Sequence, residues 1–370
     1  MLDGLEMRVL LVEPDYYTKF PPLGLLKISS YHKQQGDEIL GLVKGKATPK
    51  GHIDRIYVTS LFTWAWRQFH DAVNFYKKYY PDAQVWLGGL YASLRPKHAK
   101  TCEPDRVFEG LFSSAEELMP DYELLNDYMP EWDGSIIFSS RGCNNNCGFC
   151  SVPILEGKIN STKKSIRHLI WSKYTRIIFW DNNFLQSPGR DSILDELEDF
   201  GLKVDFNQGL DACLITEKIA GRLANLNLDS GRSGVKIRLA YDLSHKGPSV
   251  KRAIERLNAA GIKGRKIMVY TLFNYEETPE DFLARVRDIL HWGVGCYPMR
   301  YEPIVGLDKN RYISEKWTKK QVDMVQRARR VIGFGGLFPP YKKLIEKFDD
   351  ANDFEEAFKL RPQNKVNACS

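Results

Sequence analysis

The sequence predicts an α/β protein in two parts, a small parallel sheet followed by six strand–helix units. Short apolar runs alternate with amphipathic helical segments along most of the chain. One acidic, loop-forming stretch flanked by Pro120 and Pro130 interrupts that alternation and marks a boundary. Size points the same way, because 370 residues exceed what a single core usually holds. Hydrophobic residues at 43% and charged residues at 27% are ordinary for a globular chain, and no low-complexity tract or repeat points to disorder.

In the first part, R-V-L-L-V-E-P over Arg8–Pro14 reads as a buried strand, and P-P-L-G-L-L-K-I-S-S-Y-H-K as an amphipathic helix announced by proline. Strands follow at E-I-L-G-L-V, R-I-Y-V-T-S and Q-V-W-L-G-G, with a helix over Arg67–Tyr80 between the last two. Residues 1–120 form this part, and 121–134 a linker. The second part places strands at Ser135–Ser140, Arg176–Asp181, Lys203–Asn207, Val235–Tyr241, Lys266–Phe273 and Cys296–Tyr301, each followed by a helical segment. Six such units over 135–303 fit an open sheet or a partial barrel, and periodicity does not choose between them. Either way, chemistry collects at the carboxyl ends of the strands. After Pro303, a segment with a helix to about Val331, then G-F-G-G-L-F-P-P-Y, forms an extension over 304–370 that is expected to close the open end and shape a substrate pocket.

The formal charge of +6 is spread along the chain, with modest clusters at Lys163, Lys164 and Arg167 and at Arg327, Arg329 and Arg330. Such runs are solvated helix faces by default, and without a nucleic-acid-binding motif they are a weak sign of a nucleic acid or other anionic partner. No apolar stretch is long enough to span a bilayer, and M-L-D-G-L-E-M-R lacks the features of a secretory signal, so a cytoplasmic protein without a membrane partner is expected. Seven cysteines, three of them within eight residues, favour a metal or redox role over a disulfide framework.

Those three stand in S-S-R-G-C-N-N-N-C-G-F-C-S-V-P, just after the first strand of the second part. With spacings of three and two residues on one short loop, the thiols of Cys143, Cys147 and Cys150 are expected to converge on a single inorganic centre, and they suit an iron–sulfur cluster or zinc. Structural zinc normally takes four protein ligands, and no fourth Cys or His follows locally, so a cluster with one open iron fits better.

C-N-N-N-C-G-F-C matches the C-x-x-x-C-x-aromatic-C signature, and on it the chain resembles the radical S-adenosylmethionine superfamily over Ser135 to about Pro303. The resemblance implies a partial (β/α)6 barrel of TIM type and a 4Fe-4S cluster held by the three cysteines. It also implies S-adenosyl-L-methionine on the fourth iron, and a reducing electron donor such as flavodoxin or ferredoxin. Reductive cleavage of the cofactor would yield a 5′-deoxyadenosyl radical that abstracts hydrogen from an unidentified substrate, leading to modification, rearrangement or methylation.

By the same resemblance, Phe149 lies near the adenine, and Asp181 and Asn182 in W-D-N-N-F take the place of the motif that receives the methionine amino group, without its two glycines. Asn207 with Gln208, and Tyr241 with Asp242, end the third and fourth strands, where the family draws further polar contacts. Each has a plainer role to weigh: Asp181, Asn182 and Asp242 as caps or turns, Phe149 as a shield for the cluster, and Cys102, Cys213 and Cys296 as small core residues. Cys296 also opens the last strand. The rival function is a non-catalytic iron–sulfur or zinc protein whose cysteine loop organises a nucleic-acid-binding surface.

Residues 8 to about 118 resemble the Rossmann-like (flavodoxin-like) cobalamin-binding domain of one branch of the same superfamily, through P-P-L-G-L-L-K-I-S-S-Y, W-L-G-G-L-Y-A-S and the order of strands. The histidine-ligating D-x-H-x-x-G motif is replaced by D-Y-Y-T-K-F, with Tyr17 and Phe20 where histidine and glycine would stand, which disfavours cobalamin. Gly88 and Gly89 serve either a cofactor or a tight turn. Trp64 and Trp66 serve either a flat ligand or core packing, and His52 and His70 read as surface or packing residues.

Overall fold

Aliphatic and β-branched runs build the amino-terminal sheet as the alternation predicts. A computed structural model describes residues 6–231, 234–334 and 342–359. β1 (Arg8–Glu13), β2 (Glu38–Lys44), β3 (Arg55–Ser60), β4 (Gln84–Gly89) and β5 (Arg106–Phe108) pair in parallel in the order β2-β1-β3-β4-β5. This is a doubly wound order, with its switch point between β1 and β3. Side chains alternate between faces. Val12, Val58, Val85 and Leu87 meet Phe69, Val73 and Tyr76 of the helix Trp66–Tyr79. Val9, Leu11 and Tyr57 face the other way, toward Leu25 of the helix Leu23–Gln35. That helix begins after Pro22 and ends at Gly36, whose φ of 85° closes it in the left-handed region. Gly89 is required by topology: a Cβ there would stand 2.3 Å from the Ser60 carbonyl oxygen.

The chain divides into two compact units, one of Met1–Asn182, Gln186–Leu202 and Glu302–Arg311, the other of Asn183–Leu185, Lys203–Tyr301 and Tyr312–Ser370. In the first, β6 (Gly134–Ile137) pairs in parallel with β9 (Arg176–Phe179). The single strand expected over Ser135–Ser140 is interrupted. Ser140 instead joins Arg141 in β7 (Ser140–Arg141), antiparallel to β8 (Ser161–Thr162). The loop-like stretch at 121–134 contains a helical turn, Leu125–Tyr128, because Tyr122 and Leu125 bury against Leu26. The Tyr122 hydroxyl also accepts the Ile136 N–H at 2.7 Å, tying this segment to β6.

In the second unit, β10 (Lys203–Phe206) precedes β11 (Ile237–Ala240), β12 (Ile267–Phe273) and β13 (Gly295–Arg300), the last three pairing in parallel in that order. Their helices start where capping chemistry predicts. Thr216 accepts the Ile219 N–H, and Thr278 and Asp281 form a capping box ahead of Pro279–His291. The whole is a mixed α/β fold with parallel sheets.

The extension is described over 304–334 and 342–359. Its helix Lys319–Phe334 lies along β13, where a Cβ on Gly333 would stand 2.5 Å from the Tyr297 ring. Trp317 and Phe358 pack on Phe282 of the helix Pro279–His291, and Phe354 packs on both of them. These parts extend the core of the second unit. Of G-F-G-G-L-F-P-P-Y, residues 335–341 lie outside the described residues. No helix among the described residues is long and apolar enough to cross a membrane.

One buried lysine sets a pH dependence. Lys27 is 7% exposed and donates to the Glu116 carbonyl oxygen at 2.6 Å. Burial lowers its pKa from 10.5 to about 8, against the pull of the Glu116 carboxylate. Between those values the unfolded chain binds more protons than the folded one, so this group's contribution to stability rises with pH across that window. Urea midpoints of the parent, compared with Lys27→Met, should therefore improve from about pH 8 to 10. A constant difference would refute the assignment.

Candidate functional site

The cysteine loop is built on a carboxylate. Asp181, just beyond β9, is 2% exposed and accepts four hydrogen bonds: from the Ser139 and Ser140 N–H groups at 2.9 and 2.7 Å, and from their hydroxyls at 2.6 and 2.7 Å. Burial raises its pKa, and these donors oppose the rise. Its two oxygens pull the backbone out of the β6 ladder two residues before Arg141, which is why the expected first strand breaks. Asp181 thus anchors the loop that carries the thiols.

Both ends of that loop are fastened. β7 and β8 close it as a ribbon, and the Cys143 N–H donates to the Gly157 carbonyl at 3.0 Å. Gly142 has φ of 80°, and a Cβ there would stand 2.1 Å from the Lys158 carbonyl oxygen, so the backbones meet only because this residue is glycine. Glu156 gathers three neighbours: the Gly142 N–H at 2.9 Å, the Asn182 amide at 2.8 Å and the Arg141 guanidinium at 3.4 Å. Arg141 in turn makes a bidentate pair with Glu116 at 2.8 and 3.0 Å and lies over the Phe138 ring. Gln186 reaches in from beyond β9, accepting the Asn144 N–H at 2.8 Å, donating to Asn145 at 3.0 Å, and standing 3.7 Å from the Cys143 sulfur.

Cys143, Cys147, Phe149 and Cys150 are half-buried on this loop, with Asn144, Asn145 and Asn146 exposed. The Cys150 N–H donates to the Cys147 carbonyl at 3.0 Å. Burial pushes the Cys150 thiol up, and the nearby Cys143 sulfur adds to the shift. The thiols share one neighbourhood but are not assembled: among the described residues, no three His, Cys, Asp or Glu side chains form a metal-holding group. The donor chemistry still suits iron, with three sulfurs on one loop and the nearest carboxylate, Glu156, occupied by its own partners.

Asn182 lies beside the loop through Glu156. Gln208 and Asp242 belong to the second unit. Gln208 is exposed in the turn after β10. The Asp242 carboxyl, after β11, is pushed up to about 6 by burial, against the Arg285 guanidinium. Arg285, 2% exposed, donates to the Tyr241 carbonyl, the Thr271 hydroxyl and the Leu272 carbonyl at 2.9, 2.6 and 2.9 Å, and so joins the ends of β11 and β12. Cys102 and Cys296 are core residues at 5% and 0% exposure, whereas Cys213 is exposed and departs from that expectation. Trp64 and Trp66 pack against the core of the amino-terminal sheet, His70 bonds to Tyr91, and exposed His52 pairs with Asp54.

Glu156, Gln186 and Arg285 were not singled out by sequence reasoning. An acid ending I-L-E-G inside the cysteine loop was the signal for Glu156. F-L-Q and the helical arginine carried none.

No family model matches the chain. A curated protein does, with 25% identity over 134 residues: the threonylcarbamoyladenosine tRNA methylthiotransferase MtaB of Rickettsia prowazekii (strain Madrid E). The chain is similar to a tRNA methylthiotransferase. The match covers 30% of this chain and 32% of the relative, so the chain spans about a third of that protein's length. A solved structure, Streptococcus suis SuiB bound to precursor peptide SuiA, aligns at 14% identity and a TM-score of 0.36, over 58% of this chain and 51% of that one.

Asp181→Asn tests the anchor. The amide replaces an acceptor with a donor that faces other donors, at an expected cost of about 1–3 kcal/mol. Trypsin should then cut at Lys158 several-fold faster than in the parent, while cleavage in the second unit stays unchanged. Equal rates would show that the loop does not depend on this carboxylate.

Proposed function

We propose that the protein is a radical S-adenosylmethionine enzyme, with Cys143, Cys147 and Cys150 holding a 4Fe-4S cluster. The observation that carries this reading is the C-x-x-x-C-x-aromatic-C loop, clamped at both ends directly after β6. Similarity to the methylthiotransferase supports membership of the superfamily. When bound, the cluster and S-adenosyl-L-methionine supply a one-electron cleavage that yields a 5′-deoxyadenosyl radical able to abstract hydrogen from substrate.

The chain's own residues divide the remaining work. Asp181 and Glu156 hold the loop's backbone in place, so that the three thiolates answer to a single centre. Phe149 shields it from water. Asn182, Gln208 and Asp242 are assigned to cofactor or substrate contacts, and burial pushes the Asp242 carboxyl up to about 6. On this reading 135–303 form a partial (β/α)6 barrel, and an electron arrives from a small reductant such as flavodoxin or ferredoxin.

Residues 8–118 are proposed to keep a cofactor domain's fold without histidine-ligated cobalamin. Tyr17 is 77% exposed, and Phe20 is packed on Trp132 and Trp180 where the motif's glycine would stand. Protein purified with hydroxocobalamin supplied should therefore be free of corrinoid absorption, and a retained corrinoid would overturn this part.

Anaerobic reconstitution tests the main reading. About four irons per chain and dithionite-dependent 5′-deoxyadenosine are expected. Cys143→Ala, Cys147→Ala and Cys150→Ala should each abolish the product. Zinc in place of iron, or an iron-loaded protein that leaves the cofactor intact, would favour a non-catalytic role instead.

A further inference from the structure

Among the described residues, one face of the amino-terminal sheet lacks a covering helix at its β4–β5 end. On the opposite face Val85 and Leu87 are fully buried, both at 0% exposure. On this face Trp86 and Phe108 are half-buried and Arg106 is exposed. The register sets Tyr57, Trp86 and Arg106 in one row across β3, β4 and β5, with Gly88 beside Phe108 in the next. The helix Leu23–Gln35 covers that row at Tyr57, and past it the chain continues from β5 into a loop instead of a second helix.

What fills the open end is a ladder of cations and rings. The Arg55 and Arg106 guanidinium carbons lie 4.2 and 4.5 Å from the Trp86 ring centre, and that of Arg106 lies 5.4 Å from Phe108. Phe108 meets Phe112 edge-on at 5.6 Å, and Phe112 meets Tyr31 at 5.0 Å. Neither arginine has an ion pair among the described residues: Arg55 donates to Gln84 at 3.0 Å and to the Tyr57 hydroxyl at 3.5 Å, and Arg106 lies over the Trp86 and Phe108 rings. The acids adjacent to the two arginines in sequence are engaged elsewhere. Asp105 pairs with Lys77 at 3.1 Å and accepts the Val85 N–H at 2.8 Å, while Asp54 accepts the Arg8 N–H at 2.7 Å.

We propose that this face binds single-stranded RNA, with Arg55 and Arg106 meeting phosphates and the Phe108 and Phe112 rings supporting unstacked bases. Unpaired guanidinium groups held flat by an aromatic ring, next to part-exposed rings on a sheet, are the elements that recognise single strands. A peptide adding as a further strand would find only the three residues of β5 to pair with. An amphipathic helix would bring apolar side chains onto two charges and desolvate them without a partner. This inference goes beyond the radical reading and needs neither cluster nor cofactor.

The test is fluorescence anisotropy of a labelled single-stranded RNA of about a dozen nucleotides, a length within the usual single-strand site size, with the full chain. Binding should weaken steeply as salt rises. Arg55→Ala/Arg106→Ala should weaken it about tenfold or more, and Phe108→Ala about fivefold or more at constant salt dependence. Lys251→Ala/Arg252→Ala, which removes the same charge from the helix Gly247–Ala259 in the other unit, should leave binding unchanged. Three results would each overturn the proposal: no RNA binding by the parent, equal loss in the control pair, or tighter binding of DNA of the same sequence. Circular dichroism guards against misfolding. A misfolded Arg55→Ala/Arg106→Ala chain passes the decision to Phe108→Ala and to Arg106→Gln alone, which should still weaken binding severalfold. Because RNA binding is read without iron, its failure is separable from failure of the radical reading.

Discussion

A carboxylate taken out of water needs donors on every side, and the cysteine loop is arranged around that need at Asp181. Its four donors are consecutive backbone and hydroxyl groups of Ser139 and Ser140, so satisfying the charge dictates where β6 stops and how the chain enters β7. Two residues later Arg141 is fixed by Glu116 and Glu156, and Gly142 passes within van der Waals reach of Lys158. The thiols therefore begin from a rigid root, although their own side chains are half-exposed.

The reading of Asp181 changes with that geometry. Sequence position alone gave it two roles, a cofactor contact or a turn former, and its bonding in the structure is that of an internal anchor. Glu156 acts one layer out, linking the loop's first glycine to Asn182 on the neighbouring strand end. Replacing either would disturb the thiols without touching a sulfur.

Much of the strand–helix order was legible because its signals are local. Pro22 and Gly36 bracket the first helix, Thr278 and Pro279 open another, and the buried runs of β1, β3, β4 and β12 read directly as strands. What escaped depends on partners distant in sequence. The break at Ser139 needs Asp181, 42 residues away, and the helical turn at Leu125 needs Leu26. Gln186 and Arg285 were invisible because a polar residue among ordinary helical neighbours says nothing of which carbonyls surround it. The three cysteines were found by spacing, a property of the chain itself, but spacing cannot report how far apart sulfurs rest before a metal gathers them.

The ribbon of β7 and β8 closes on backbone contacts, and neither strand of it contributes a sulfur. A loop fastened in this way does not owe its shape to the group it carries. If the three sulfurs hold iron as proposed, its loss leaves the Asp181 and β7–β8 fastenings unbroken, because no sulfur takes part in them. On that reading, restoring an emptied chain is a matter of supplying iron and sulfide to a backbone already in position.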